Sequence, residues 1–148
     1  MPVKIIDGDL FETKANYICH QVNCQGRMGS GVAKQIRSKY PEAYDAYMEK
    51  CKTTGVLGQT QFVKCKNGKT VVNMFAQDRY GYDGERYTDY AAFMSCLMAI
   101  RIAVPENEVV AMPYKIGCGL GGGEWGVVLR MIKEELPSHT VELWKKEV

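Results

Sequence analysis

The chain lacks the features that mark membrane, secreted and metal-binding proteins. Among its 148 residues, no apolar run approaches the roughly 20 residues that a membrane-spanning helix requires. The opening residues 1–7 do not have the character of a signal peptide. The six cysteines include no C-x-x-C pair, which predicts reduced, mostly buried thiols rather than disulfides or a zinc site. The sequence therefore predicts a cytoplasmic protein with no membrane segment and no metal.

The charges show no excess of one sign. The chain has 19 Lys and Arg against 17 Asp and Glu, a formal charge of +2, and the two signs are interleaved without a basic stripe. This pattern is typical of a solvated surface and gives no indication of nucleic-acid binding. No repeat, linker or low-complexity tract interrupts a chain that is 46% hydrophobic, which predicts a single domain over residues 1–148.

Strand and helix patterns alternate along the chain, which favours the α/β class. Strands are predicted over residues 3–6, 17–22, 61–65, 70–75, 109–112 and 140–144, with Asn67-Gly68 turning a hairpin between the third and the fourth. Apolar residues at helical spacing predict helices over residues 32–38, 44–51, 90–101 and 125–136.

A glycine-dense loop over residues 116–124 runs into the last predicted helix. Its Gly117, Gly119 and Gly122 match G-x-G-x-x-G, and backbone N–H groups before a helix N-terminus favour an anion such as phosphate. A tight turn is the alternative. A dinucleotide fold is disfavoured, although Glu142 is suitably spaced, because that fingerprint opens a sheet at its first strand. No Lys-Ser or Lys-Thr follows the glycines, which excludes a Walker loop.

Two earlier loops also follow predicted strands, where open α/β sheets place their ligands. The first, residues 7–11, contains Asp9, which is either a ligand contact or a turn residue capping a helix. The second, residues 22–33, is polar, rich in glycine and leads into a helix. Two glycine-rich loops of this kind suggest a ligand gripped at both ends with a pyrophosphate between them.

These three loops, in this order and spacing, resemble those of the macrodomain family, small α/β modules that bind ADP-ribose. Gly8-Asp9-Leu10-Phe11 is similar to the family's first loop, and residues 23–33 to its distal-ribose loop. Gly117-Cys118-Gly119-Leu120 is similar to its diphosphate loop. The closest likeness is to the branch of terminal ADP-ribose protein glycohydrolase, the antitoxins that reverse DNA ADP-ribosylation and the yeast-type ADP-ribose 1″-phosphate phosphatase.

The resemblance implies a three-layer α/β/α sandwich around a mixed sheet, without a cofactor. The implied partner is ADP-ribose or an ADP-ribosylated macromolecule, and nucleic acid only where it is ADP-ribosylated. Asp9 and the Leu10 amide would contact adenine, and Asn23 the distal ribose. Trp144 is a candidate to pack on adenine, or an ordinary core or edge aromatic. The two glycine-rich loops would hold the diphosphate and the ribose beside it with these residues: Gly29, Ser30, Gly31, Val32, Cys118, Gly119, Leu120, Gly121 and Gly122.

Catalysis is where the resemblance weakens. The glycohydrolase branch uses a lysine and an aspartate, and here Gln77 and Gly121 stand at those positions. An amide forms no Schiff base and glycine moves no proton. The conceivable substitutes are Lys115, Asp78 and Glu124.

His20 matches the catalytic histidine of the yeast-type phosphatase and would be a base or nucleophile, or else a core histidine. The catalytic candidates carried forward are His20 and Glu124. Two functions therefore stay open: an ADP-ribosyl hydrolase or phosphatase, and a non-catalytic module that reads or sequesters ADP-ribose.

Overall fold

The computed structural model describes residues 3–146 as one six-stranded sheet with four helices. The strands are β1 Val3–Asp7, β2 Tyr17–Val22, β3 Thr60–Lys64, β4 Thr70–Phe75, β5 Val109–Pro113 and β6 Thr140–Lys145. The helices are α1 Gly31–Lys39, α2 Pro41–Lys50, α3 Tyr90–Ala103 and α4 Trp125–Glu135, and a 3-10 helix covers Leu10–Glu12. Every predicted strand and helix is present, and its first and last residues differ from the predicted ones by at most three positions.

The strand order is β1-β6-β5-β2-β4-β3. All neighbouring pairs are parallel except β3 with β4, so the sheet is mixed, as predicted. The β3–β4 hairpin turns at Gly68, whose φ of +87° suits a glycine. Because five strands run the same way, their carboxyl ends and the loops that follow them share one edge of the sheet.

Helices cover both faces of this sheet. Along β2, Ile18 packs in a cluster with Ile36 of α1, whereas the next residue, Cys19, packs in a cluster with Phe93 of α3 and Val128 of α4. Successive residues of a strand point to opposite faces, so α1 and α2 form one outer layer and α3 and α4 the other. This is the three-layer α/β/α sandwich that the resemblance implied.

Local sequence explains where the helices begin. Pro41 is the first residue of α2, a position where its missing N–H costs no hydrogen bond. Asp89 caps α3, accepting a hydrogen bond from the Ala92 amide at 2.9 Å. None of the helices within residues 3–146 is both long and apolar enough to cross a membrane.

Candidate functional site

A cavity of about 590 Å³ opens at the carboxyl edge of the sheet, beyond β2, β4 and β5. Three loops form its walls, within residues 23–33, 77–82 and 113–121. The wall of the cavity includes nine of the predicted catalytic and ligand-binding residues: His20, Asn23, Gly29, Ser30, Gly31, Val32, Gly119, Leu120 and Gly121. The two glycine-rich loops, about 90 residues apart in the chain, therefore face one space, as an elongated ligand would require.

The N-terminus of α1 reaches this cavity without a side-chain cap. Ser30 occupies the cap position in extended conformation, but its Oγ lies 2.8 Å from the Tyr82 hydroxyl instead of bonding the helix amides. The amides of Gly31, Val32 and Ala33 consequently find no acceptor within residues 3–146. Free N–H groups at the positive end of a helix attract an anion.

The second glycine-rich loop offers another set of free amides. Cys118 and Gly122, both predicted to hold the diphosphate, instead donate within the loop, to the carbonyls of Lys115 and Gly119 at 2.9 and 3.0 Å. These bonds tighten the loop and leave the amides of Gly119, Leu120 and Gly121 without acceptors in the described part of the chain. The cavity thus has backbone donors on two of its walls.

Sequence reasoning missed a network of side chains beneath this loop. The Gln21 amide nitrogen donates to Gln77 Oε1 at 2.7 Å and to Thr88 Oγ1 at 2.8 Å. Thr88 in turn donates to the Gly117 carbonyl at 2.7 Å, and the Gln77 amide to the Arg79 carbonyl at 2.8 Å. Gln77 is therefore fixed by hydrogen bonds. The one signal in the sequence was the pair of polar residues His20 and Gln21 near the end of a largely apolar strand.

The network also explains why residue 121 is glycine. A Cβ atom there would lie 2.6 Å from Thr88 Oγ1 and 2.7 Å from the Gly117 carbonyl oxygen, closer than real contacts allow. Residue 121, where the resemblance implies an aspartate, thus has no room for a carboxylate in the packing seen here. Gln77 and Gly121 are linked through Gln21 and Thr88. Gln21 donates hydrogen bonds to both Gln77 and Thr88, and Thr88 fills the space beside Gly121.

Tyrosines and cations complete the wall. Tyr80, Tyr82 and Tyr114 line the cavity together with Arg27 and Lys115. Tyr82 is 70% exposed at the rim. Lys115 has a φ of +59°, the only positive value at a residue other than glycine within residues 3–146. Of the three conceivable substitutes for the missing lysine and aspartate, Lys115 alone belongs to the wall.

His20 is one of the lining residues of the cavity, but the residue as a whole is only 1% exposed. Its Nε2 is 2.6 Å from Asn73 Oδ1. Burial lowers the pKa of His20 to about 4, against an opposing effect of the hydrogen bond to Asn73, so the imidazole is neutral at pH 7.

The predicted adenine contacts form a separate group outside the cavity wall, at the same sheet edge beside β1 and β6. Asp9 caps the 3-10 helix, accepting from the Phe11 amide at 2.9 Å, and its other oxygen lies 3.5 Å from Lys146 Nζ. These contacts lower the pKa of Asp9, the Phe11 bond being the largest cause. Leu10 is buried in the core. Trp144 donates its indole N–H to Glu142 Oε1 at 3.0 Å.

The remaining catalytic candidate, Glu124, is exposed and precedes α4 outside the cavity wall. Its backbone N–H donates to the Tyr90 hydroxyl at 2.9 Å. Asp78 is likewise exposed, and its Oδ1 accepts a hydrogen bond from the side-chain nitrogen of Gln25 at 3.3 Å. Of the candidates in the cavity wall, Lys115 is exposed and placed to reach a bound ligand, whereas both ring nitrogens of His20 are buried.

Comparison with known proteins identifies this architecture. The family model described as Macro domain matches residues 19–132. The chain therefore belongs to the macrodomain family.

Two curated relatives carry activities in their names. A DNA ADP-ribosyl glycohydrolase from Thermus aquaticus is 28% identical over 157 residues, covering 98% of this chain and 41% of that protein. An ADP-ribose 1″-phosphate phosphatase from Meyerozyma guilliermondii is 33% identical over 94 residues, covering 51% of this chain and 54% of that protein. The alignments span about half or less of these relatives. Among solved structures, the macrodomain of Mycobacterium tuberculosis DarG superposes with a TM-score of 0.81 at 26% identity, covering 97% of both chains.

Proposed function

We propose that this macrodomain binds ADP-ribose, free or attached to a macromolecule, in the cavity at the carboxyl edge of the sheet. The observation that carries the proposal is that two sets of residues whose amides have no acceptor, Gly31 to Ala33 and Gly119 to Gly121, line one cavity. A diphosphate supplies acceptors for such donors and needs close backbone approach, which glycine permits. Asp9 and Trp144 lie along the same sheet edge and would take the adenine end.

The same geometry argues for a binding module over a lysine-dependent glycohydrolase. Gln77 is held by Gln21 and Arg79, and Gly121 has no space for a carboxylate. Binding through backbone amides needs neither missing side chain. Reading or sequestering ADP-ribose is therefore the activity that this site supports best.

A second candidate is removal of phosphate from ADP-ribose 1″-phosphate. It is favoured by one observation, the presence of His20 in the cavity wall, and by the named activity of the yeast relative. Release of inorganic phosphate from that substrate, lost on His20→Gln, would support it. Absence of phosphate release with saturating substrate would reject it.

The proposal includes a cytoplasmic location. All six cysteines are free in the structure, and Cys19, Cys65 and Cys96 are buried. Unpaired thiols suit a reducing compartment.

ADP-ribose is expected to bind one-to-one, and AMP roughly tenfold more weakly or worse. AMP lacks the second phosphate and the distal ribose, so it forfeits at least one or two hydrogen bonds worth about 1 kcal/mol each. Isothermal titration calorimetry with both ligands measures the difference. Equal affinities would reject the two-loop site.

Asp9→Ala is expected to weaken ADP-ribose binding by about 1 to 3 kcal/mol, because it removes a charged acceptor for the adenine amino group. The substitution also removes the cap of the 3-10 helix, so Asp9→Asn is the matched variant: its Oδ1 still accepts from the Phe11 amide. Asp9→Asn should lie between wild type and Asp9→Ala in affinity, with wild-type thermal stability. Wild-type affinity in both variants would exclude Asp9 from the site.

A further inference from the structure

The backbone of Lys115 is strained. Its φ of +59° lies in the left-handed region, which a Cβ atom disfavours and which glycine adopts at much lower cost. The residue follows β5, and its carbonyl accepts a hydrogen bond from the Cys118 amide at 2.9 Å, so this conformation turns the chain from the strand into the glycine-rich loop. Glycine would serve that turn better than lysine. Strained residues of this kind cluster at ligand sites, where the side chain repays the backbone cost.

The side chain of Lys115 does little for the fold. It is exposed, and within residues 3–146 it forms no salt bridge. Its Nζ lies 5.8 Å from the centroid of the Tyr114 ring, at the outer limit of a cation–π contact. Lys145 Nζ lies 5.2 Å from the same ring and is likewise without a carboxylate partner in the described part of the chain. Two ammonium groups therefore lie beside Tyr114, a residue of the cavity wall, and neither is neutralised by a carboxylate there.

The cavity wall is positively charged. Although the chain has 17 Asp and Glu, none of the described residues that line the cavity is acidic. The wall contains two cations, Arg27 in the first glycine-rich loop and Lys115 at the start of the second. Arg27 is exposed and also forms no salt bridge within residues 3–146. Unopposed charge of one sign around a cleft raises the local concentration of ligands of the other sign.

We propose that the Lys115 ammonium pairs with the diphosphate of the bound ligand and selects for negative charge there, which makes Lys115 a specificity residue. This rests on the proposed ADP-ribose site. Lys115 begins the loop whose Gly119 to Gly121 amides have no acceptor, so the ammonium and those amides belong to one wall. Amide donors need a well-placed oxygen, whereas an ammonium responds to the net charge of the group that it meets. The strained lysine thus serves the ligand at a cost to the fold.

Lys115→Asn tests the charge. Asparagine tolerates the left-handed region and removes the ammonium. By calorimetry at low salt, the affinity for ADP-ribose should fall about threefold to tenfold, less than for a buried charge pair because Lys115 is exposed. Raising the salt from about 0.01 M to about 1 M shortens the screening length from about 30 Å to about 3 Å, so wild type and variant should converge. Lys115→Arg keeps the charge and should keep wild-type affinity.

The matched control is Lys66→Asn. Lys66 is exposed in the turn between β3 and β4, outside the cavity wall, and the substitution removes the same charge. Its affinity should equal that of wild type at each salt concentration. Wild-type affinity in Lys115→Asn, or a deficit that persists at high salt, overturns the inference and leaves ADP-ribose binding intact. Failure of the wild-type protein to bind ADP-ribose rejects the proposed function and the inference together.

Stability without ligand tests the strain. Lys115→Gly should raise the melting temperature by about 2 °C, because glycine relieves the left-handed backbone and this gain exceeds its entropic cost. Lys66→Gly makes the same substitution where φ is not positive, and it should lower the melting temperature. Lys115→Gly should also bind ADP-ribose more weakly than wild type. A lower melting temperature for Lys115→Gly would show that the lysine stabilises the fold, and would overturn its assignment to the ligand.

Discussion

Gly119→Val is expected to weaken ADP-ribose binding roughly tenfold to a hundredfold, equivalent to about 1.4 to 3 kcal/mol, with little loss of stability. Gly119 lines the cavity, and a Cβ added there meets no atom within 4 Å. Its φ does not lie in the left-handed region, so valine fits the backbone. The new side chain would therefore stand in open space that the diphosphate needs. Calorimetry gives the affinity and thermal unfolding the stability.

The matched control is Gly126→Val. Gly126 also has open space around its Cα, but it lies in α4 outside the cavity wall. That variant should bind as wild type does. If Gly119→Val also bound normally, the loop would be an ordinary tight turn, and the proposed diphosphate site would be lost.

The fold was predictable because its signals are local. Alternating and helical apolar spacing repeats within each element, and Asn67-Gly68 marks a hairpin by its own chemistry. Residues 17–22 and 70–75 were predicted with the bounds observed for β2 and β4. The predicted bounds differ from the observed ones at the ends of α1 and α2, for example. Tyr40 is both the last cap of α1 and the first cap of α2, and apolar periodicity does not detect such a direct junction between two helices.

The site was only partly predictable because its decisive contacts join distant parts of the chain. Glycine content located two walls of the cavity, but not that Ser30 leaves α1 uncapped by bonding Tyr82, 52 residues away. The contact between Gln21 and Thr88 spans 67 residues and carries no motif. The use of the Cys118 and Gly122 amides inside the loop likewise depends on its folded path.

The second large prediction concerns Gln77 and Gly121, where the resemblance implies a lysine and an aspartate: introducing those two residues will not create a glycohydrolase. Gly121→Asp should lower the free energy of unfolding by about 3 kcal/mol, the upper part of the range for overpacking, since its Cβ would overlap Thr88 Oγ1 and the Gly117 carbonyl. Adding Gln77→Lys breaks the hydrogen bond to Gln21 as well. Urea unfolding measures the loss. Gly126→Asp, in open space in the first turn of α4, should lose no stability.

The corresponding activity test uses release of ADP-ribose from ADP-ribosylated protein and DNA. Wild type and the Gln77→Lys, Gly121→Asp double variant should both be slow or inactive, and borohydride should trap no lysyl adduct on wild type. An adduct on Lys115 would contradict this, because that residue is the lysine of the cavity wall and would be supplying the missing amine. A stable, active double variant would equally show that the space around Gly121 adapts, and that the network of Gln21, Gln77 and Thr88 does not exclude the lysine route.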